Sequence, residues 1–177
     1  MKKTHAFARV AALAGVLSAL VLATTFVAGA GASSPDDLQA VKAATARFHS
    51  FEQAEKAGYS IAGEPCVASP LGTMGIHAVN AELMDDPTID PLRPEILLYV
   101  PNADGKLTLI GVEYWKADAD GDLATAGDRP SVLGQPFDGP MPGHNPTMAV
   151  HYDLHVWLWQ DNPTGLFAPF NPRLACP

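Results

Sequence analysis

The chain has 177 residues, with 19 Asp and Glu against 11 Lys and Arg and a formal net charge of −8. So acidic a surface repels phosphates and anionic headgroups, which argues against nucleic acid or an anionic membrane as partner. Beyond its first thirty or so residues the chain holds no apolar run long enough to span a bilayer.

Residues 1–32 read as a signal peptide. Lys2, Lys3 and Arg9 form a basic start, an apolar run follows from Val10, and small residues end it. Ala28-Gly29-Ala30 and Ala30-Gly31-Ala32 are the two candidate cleavage sites; a retained anchor is the alternative. Cleavage after Ala32 leaves 145 of the 177 residues, read as a single globular domain over 33–177 with a net charge of −11. The expected location is secreted or extracytoplasmic, without stable membrane insertion once the leader is removed. Cys66 and Cys176 are the only cysteines, and an even count in an exported chain predicts a disulfide between them. Service as metal ligands is the alternative.

Ser34-Pro35-Asp36-Asp37 is a helix start: a side-chain cap, a proline suited to the first turn, and two acids at the positive end of the helix. Leu38, Val41, Ala44 and Phe48 then recur near one helical face. Ser50-Phe51-Glu52-Gln53 has the spacing of a capping box for a second short helix, which Gly58 stops. After Tyr59 the texture changes to short apolar runs between Pro/Gly/Asp loops. Strands are predicted over Gly72–Asn80, Glu95–Val100, Leu107–Trp115 and Met148–Trp159, with Asp104-Gly105 as hairpin chemistry between the second and third. The fold class is therefore α+β, an N-terminal helical segment on a small, mainly antiparallel β-barrel or curved sheet.

The last strand carries the densest chemistry. Alternate strand residues share a face, so His151, Asp153, His155, Trp157 and Trp159 lie on one side and Tyr152, Leu154, Val156 and Leu158 on the other. Two exposed indoles are costly, and a partly enclosed cavity suits the first side better. At about 3.3 Å per residue His151 and His155 stand roughly 13 Å apart, too far to share one ion without a bulge. His155 is accordingly the stronger ligand and His151 a fourth ligand, an outer donor or a rim residue. His77 follows Gly75 on an earlier strand. Glu113 sits in an apolar strand at the parity of Leu107, Leu109 and Trp115, where a carboxylate either faces water or is buried with a partner.

The expected metal ligands are His77, Glu113, His155 and His151, around a pocket with Glu95, Asn80, Asp153, Trp115 and Trp157. Two imidazoles and a carboxylate with open positions suit a divalent transition metal: Fe, Zn, Cu, Mn or Ni. The rival readings are a non-catalytic pocket for a small organic ligand, a cell-surface interaction domain, and scattered structural histidines. Whether the protein is an enzyme, and its oligomeric state, are not legible. Asp118–Asp122 lacks the closing glutamate of a calcium loop and reads as a solvated acidic turn. His144, in a Pro/Gly-rich loop, reads as exposed, with a lid as the alternative.

The segments "GTMGIHAVN", "PEILLYV", "LIGVEYW" and "LHVWLWQDNPTGLFAPFNPRLAC", with the preceding "FHSFEQAEKAGY", together resemble a family of small exported bacterial proteins of unknown function. The resemblance spans most of residues 33–177. It implies export and a shared site around His77, Glu113 and His155, and it lends no activity, metal or substrate.

Overall fold

The computed structural model describes Met1, residues 33–61 and residues 66–177. The expected signal peptide thus lies outside the described residues apart from Met1. Among the described residues no helix is long and apolar enough to cross a membrane.

Helix α1 (Pro35–Thr45) begins as its sequence dictates. The Ser34 side chain accepts from Asp37 N–H, and Asp37 answers toward the Ser34 N–H. A 3₁₀ turn (Ala46–His49) and helix α2 (Phe51–Lys56) follow. Ser50 occupies the N-cap of α2 but makes no side-chain cap bond, so the second capping box is not formed. Val41, Phe48 and Ala54 turn inward onto the sheet.

The strands are β1 (Val67–Ser69), β2 (Gly72–Val79), β3 (Ile96–Pro101), β4 (Leu107–Ala117), β5 (Ser131–Val132), β6 (Gln135–Pro136), β7 (Asp138–Met141) and β8 (His151–Val156). A short helix α3 (Ala81–Asp85) follows β2. Six strands form one antiparallel sheet in the order β1-β2-β3-β4-β8-β7, curled into a half-barrel; β5 and β6 pair separately. The architecture is the α+β arrangement expected from the sequence.

One face of the sheet packs on the helices. Tyr99, Tyr114, Tyr152, Leu154 and Val156 are buried there. A buried phenol needs a partner, and each hydroxyl finds one: Tyr99 on Phe48 O at 2.7 Å, Tyr114 on Pro91 O at 2.6 Å and Tyr152 on Asp128 Oδ1 at 2.8 Å. The other face carries Ile96, Leu98, Ile110, Trp115 and Trp157.

A bulge decides which face Glu113 joins. Leu98 pairs with Gly111, but Tyr99 pairs with Leu109, so Ile110 is an extra residue in β4. The strict alternation expected along this strand is broken there. Leu107 and Leu109 fall on the helix side with Val112 and Tyr114, whereas Glu113 and Trp115 belong to the opposite face. At Gly111 the chains come closer than a side chain allows: a Cβ would stand 2.6 Å from Val156 O.

The C-terminal tail folds back over the sheet. Trp159 N–H donates to Ile110 O, Asn171 exchanges backbone bonds with Thr73, and Leu174 packs on the second cluster. Cys66 and Cys176 are disulfide-bonded, with Cα atoms 5.6 Å apart, and the bond closes a span of 110 residues.

Candidate metal centre

On the face away from the helices, cross-strand pairing sets up a row. Val79 of β2 lies opposite Ile96 of β3, Ile96 opposite Glu113 of β4, and Glu113 opposite His155 of β8. His77 lies two residues along β2, opposite Leu98. On a flat sheet β2 and β4, with β3 between them, would be about 10 Å apart. The bulge at Ile110 and the close approach at Gly111 increase the local coil, and the coil brings the side chains together. His77 Nε2 stands 3.0 Å from Glu113 Oε2, and His155 Nε2 stands 3.5 Å from the same oxygen.

One donor atom from each of His77, Glu113 and His155 lies within 4.8 Å of the others, the one such group among the described residues. Ligands about 2.1 Å from a common ion are separated by roughly 3.0–3.4 Å in octahedral or tetrahedral arrangements. The two measured separations sit at that scale. Two imidazole nitrogens converge on the one Glu113 oxygen, and the His77 contact helps to keep that carboxyl ionised. His155 is wholly buried, and neither ring nitrogen has a hydrogen bond. Buried polar atoms are nearly always partnered, so a buried imidazole with two open nitrogens marks a place where a further atom belongs.

The electrostatics point the same way. Burial raises the Glu113 carboxyl, but the charges of His155 and His77 outweigh it and leave it well below the usual carboxylate range. Burial pulls the His155 imidazole down, against the attraction of Glu113. Metal binding requires the carboxylate ionised and the imidazoles without their second proton, so an ion here would replace the imidazolium charge that otherwise holds Glu113 ionised. Asp153, two residues before His155, is pushed up to about 8 by burial, then by the charges of Glu113 and Asp138. Its Oδ1 lies 4.0 Å from His155 Nδ1, beyond hydrogen-bond reach.

A cavity of about 170 Å³ opens beside the cluster. Val79, Met84, Ile96, Trp115 and Met148 supply apolar walls, and His77 and Glu113 form part of its lining. His151 lines it too, buried, with its ring stacked on Trp115 at 5.6 Å between centroids. Its Nδ1 lies 3.0 Å from Ala149 O, and burial holds the imidazole below its usual range. His144 is exposed, as expected of its loop, yet its ring meets His151 edge-on at 5.1 Å and it borders the cavity.

Several expected pocket residues lie elsewhere. Glu95 hydrogen-bonds the Trp115 N–H, so it does sit beside that strand. Its parity is that of Leu97 and Tyr99, however, which places it on the helix side. Asn80 caps α3 by accepting from Leu83 N–H and donates to Ala57 O, a structural role facing a different hollow. Trp157 is buried in the second cluster and donates from Nε1 to Ala168 O, tying down the tail rather than lining the cavity. Trp159 leaves the His155 face altogether. The strand ends at Val156, and the Trp159 indole packs with the helix-side core, against His49 and under Lys42. His151 is not part of the three-residue donor group. Met84, Met148, Val79 and Ile96 were not anticipated. Apolar residues on short elements resemble any core residue in a sequence, and only the curl of the sheet shows which of them border a hollow. In the acidic turn at Asp118–Asp122, the exposed Asp120 and Asp122 accept from the N–H groups of Asp122 and Ala124, as a solvated turn should, whereas Asp118 is buried, with Oδ1 accepting from Asp120 and Gly121 N–H.

No family model, no curated protein and no solved structure matches the chain.

Proposed function

We propose that this is a metal-binding protein, holding one divalent first-row transition ion through His77, Glu113 and His155. The observation that carries this reading is the convergence of three donor atoms within 4.8 Å, one of them on a buried imidazole with no hydrogen bond at either nitrogen. Two imidazoles and one carboxylate suit Zn, Fe, Mn, Cu or Ni better than Mg or Ca, which prefer all-oxygen shells. Three protein ligands would leave coordination positions for water or a bound molecule, and two of the three, His77 and Glu113, line the cavity. Asp153 and His151 lie outside the donor group, the first with its carboxylate 4.0 Å from His155 Nδ1 and the second in the cavity lining; neither is assigned as a ligand.

We place the protein outside the cytoplasm. Its first 32 residues have the make-up of a cleavable leader, and its two cysteines are bonded in an arrangement that oxidising compartments sustain. Elemental analysis of protein purified from its native compartment tests the metal. About one equivalent of a transition metal, lost in His77→Ala and His155→Ala, is expected. A metal-free protein that takes up none of these ions after chelator treatment overturns the assignment. The mass of the mature chain tests export, with cleavage expected after Ala30 or Ala32.

A further inference from the structure

The cavity beside the three donors has its own recognition chemistry, and it centres on His151. A backbone carbonyl only accepts hydrogen bonds. The 3.0 Å contact of His151 Nδ1 with Ala149 O therefore puts the imidazole proton on Nδ1. In the neutral ring the lone pair is then on Nε2, at the edge turned away from Ala149. The ring itself cannot swing freely: it stacks on Trp115 on one side and meets His144 edge-on on another. The result is a fixed acceptor in the wall of a hollow whose apolar walls are Val79, Met84, Ile96, Trp115 and Met148, with His77, Glu113, His144 and Asn145 as the rest of its polar lining.

Size and lining define what fits. A cavity of about 150 Å³ with apolar walls accommodates a benzene ring, and this one is about 170 Å³. A wholly apolar ring would strip water from His151 Nε2 and give nothing back, which a buried polar atom resists. A ring carrying an N–H or O–H would replace that water. We propose that the cavity binds a single-ring molecule through one N–H or O–H group, donated to His151 Nε2. This goes beyond the metal reading: it uses the same hollow but does not require the ion.

The test compares phenol, anisole and toluene by calorimetry or ligand-observed NMR on the full mature protein and on His151→Phe, each with and without saturating Zn(II). Phenol and anisole share a shape, but only phenol donates. One hydrogen bond met at a buried acceptor is expected to give phenol about a tenfold advantage over both others in the unmodified protein. In His151→Phe the ring stays but the acceptor is gone, so phenol should fall to the level of toluene while toluene is unchanged or slightly improved. Equal affinities for the three probes, no binding of any of them, or a phenol advantage that survives His151→Phe would each overturn the proposal. If His151→Phe fails to fold, His151→Leu, which also removes the acceptor, takes its place in the comparison. Failure of the metal reading is separable: a phenol advantage in a protein that takes up none of Mn, Fe, Ni, Cu or Zn removes the metal centre and leaves this inference standing, and metal uptake without a phenol advantage does the reverse.

Discussion

Removing His155 should erase the protein's thermal response to metal without depending on how much the substitution harms the fold. A ligand that binds only the native state stabilises it by about 2.7 kcal/mol when free ligand is a hundred times its dissociation constant. About 140 residues are described outside the leader. At roughly 2.1 cal/mol/K per residue their unfolding entropy is about 0.3 kcal/mol/K, so saturating metal should raise Tm by about 9 °C. His155→Ala deletes a buried donor whose ring nitrogens make no hydrogen bond. Losing a direct ligand should cost at least the hundredfold that loss of an outer-shell partner can cost. At the same free metal the gain then shrinks to about 0.4 kcal/mol, near 1 °C. His151→Ala, outside the donor group, should keep most of the 9 °C. The assay is a thermal melt of chelator-stripped protein with and without each of Mn, Fe, Co, Ni, Cu and Zn, with Mg as control. Each variant is compared with itself, so an altered baseline cancels. No shift in the unmodified protein with any of these ions, or an equal shift in His155→Ala, would refute the argument.

Three further outcomes follow from other parts of the molecule. Replacing both Cys66 and Cys176 by Ser releases a closure of 110 residues; the chain-entropy model gives a loss of about 4–5 kcal/mol and a Tm lower by roughly 15 °C, and a drop under about 3 °C would show that the tail is held by other contacts. Burial raises Glu95 from the ordinary 4.5 to about 7. The native state therefore keeps a proton that the unfolded chain releases, and stability falls as pH rises from about 4.5 to 7. Glu95→Gln keeps an acceptor for Trp115 N–H and should raise stability by about 1–3 kcal/mol at pH 8, with little change at pH 4, as measured by urea unfolding at both. Gly111→Ala sets a Cβ against Val156 O at 2.6 Å, so β4 and β8 must separate. A cost of roughly 2–3 kcal/mol is expected, together with a weaker metal-induced shift because His155 rides on β8.

What the sequence determined by itself was local. Ser34 and Pro35 start a helix because side-chain capping and a fixed φ act within one turn. The four main strands announced themselves through alternation and turn residues, and each appears within a few residues of its expected place. His77, Glu113 and His155 stood out because charged or ionisable groups in apolar strands need a partner. That these three meet, and that Glu95, Asn80, Trp157 and Trp159 turn elsewhere, was decided by the tertiary structure. A single extra residue at Ile110 reverses the parity of Leu107 and Leu109 relative to Glu113. The strand ending at Val156 frees Trp159 to join the helix side. Both depend on pairing between strands distant in the chain, and a residue's own neighbours carry no record of that pairing. The curl of the sheet then converts a spacing of about 10 Å between β2 and β4 into a 3.0 Å contact between His77 and Glu113, because the coil of a sheet accumulates over several strands and belongs to none of them alone.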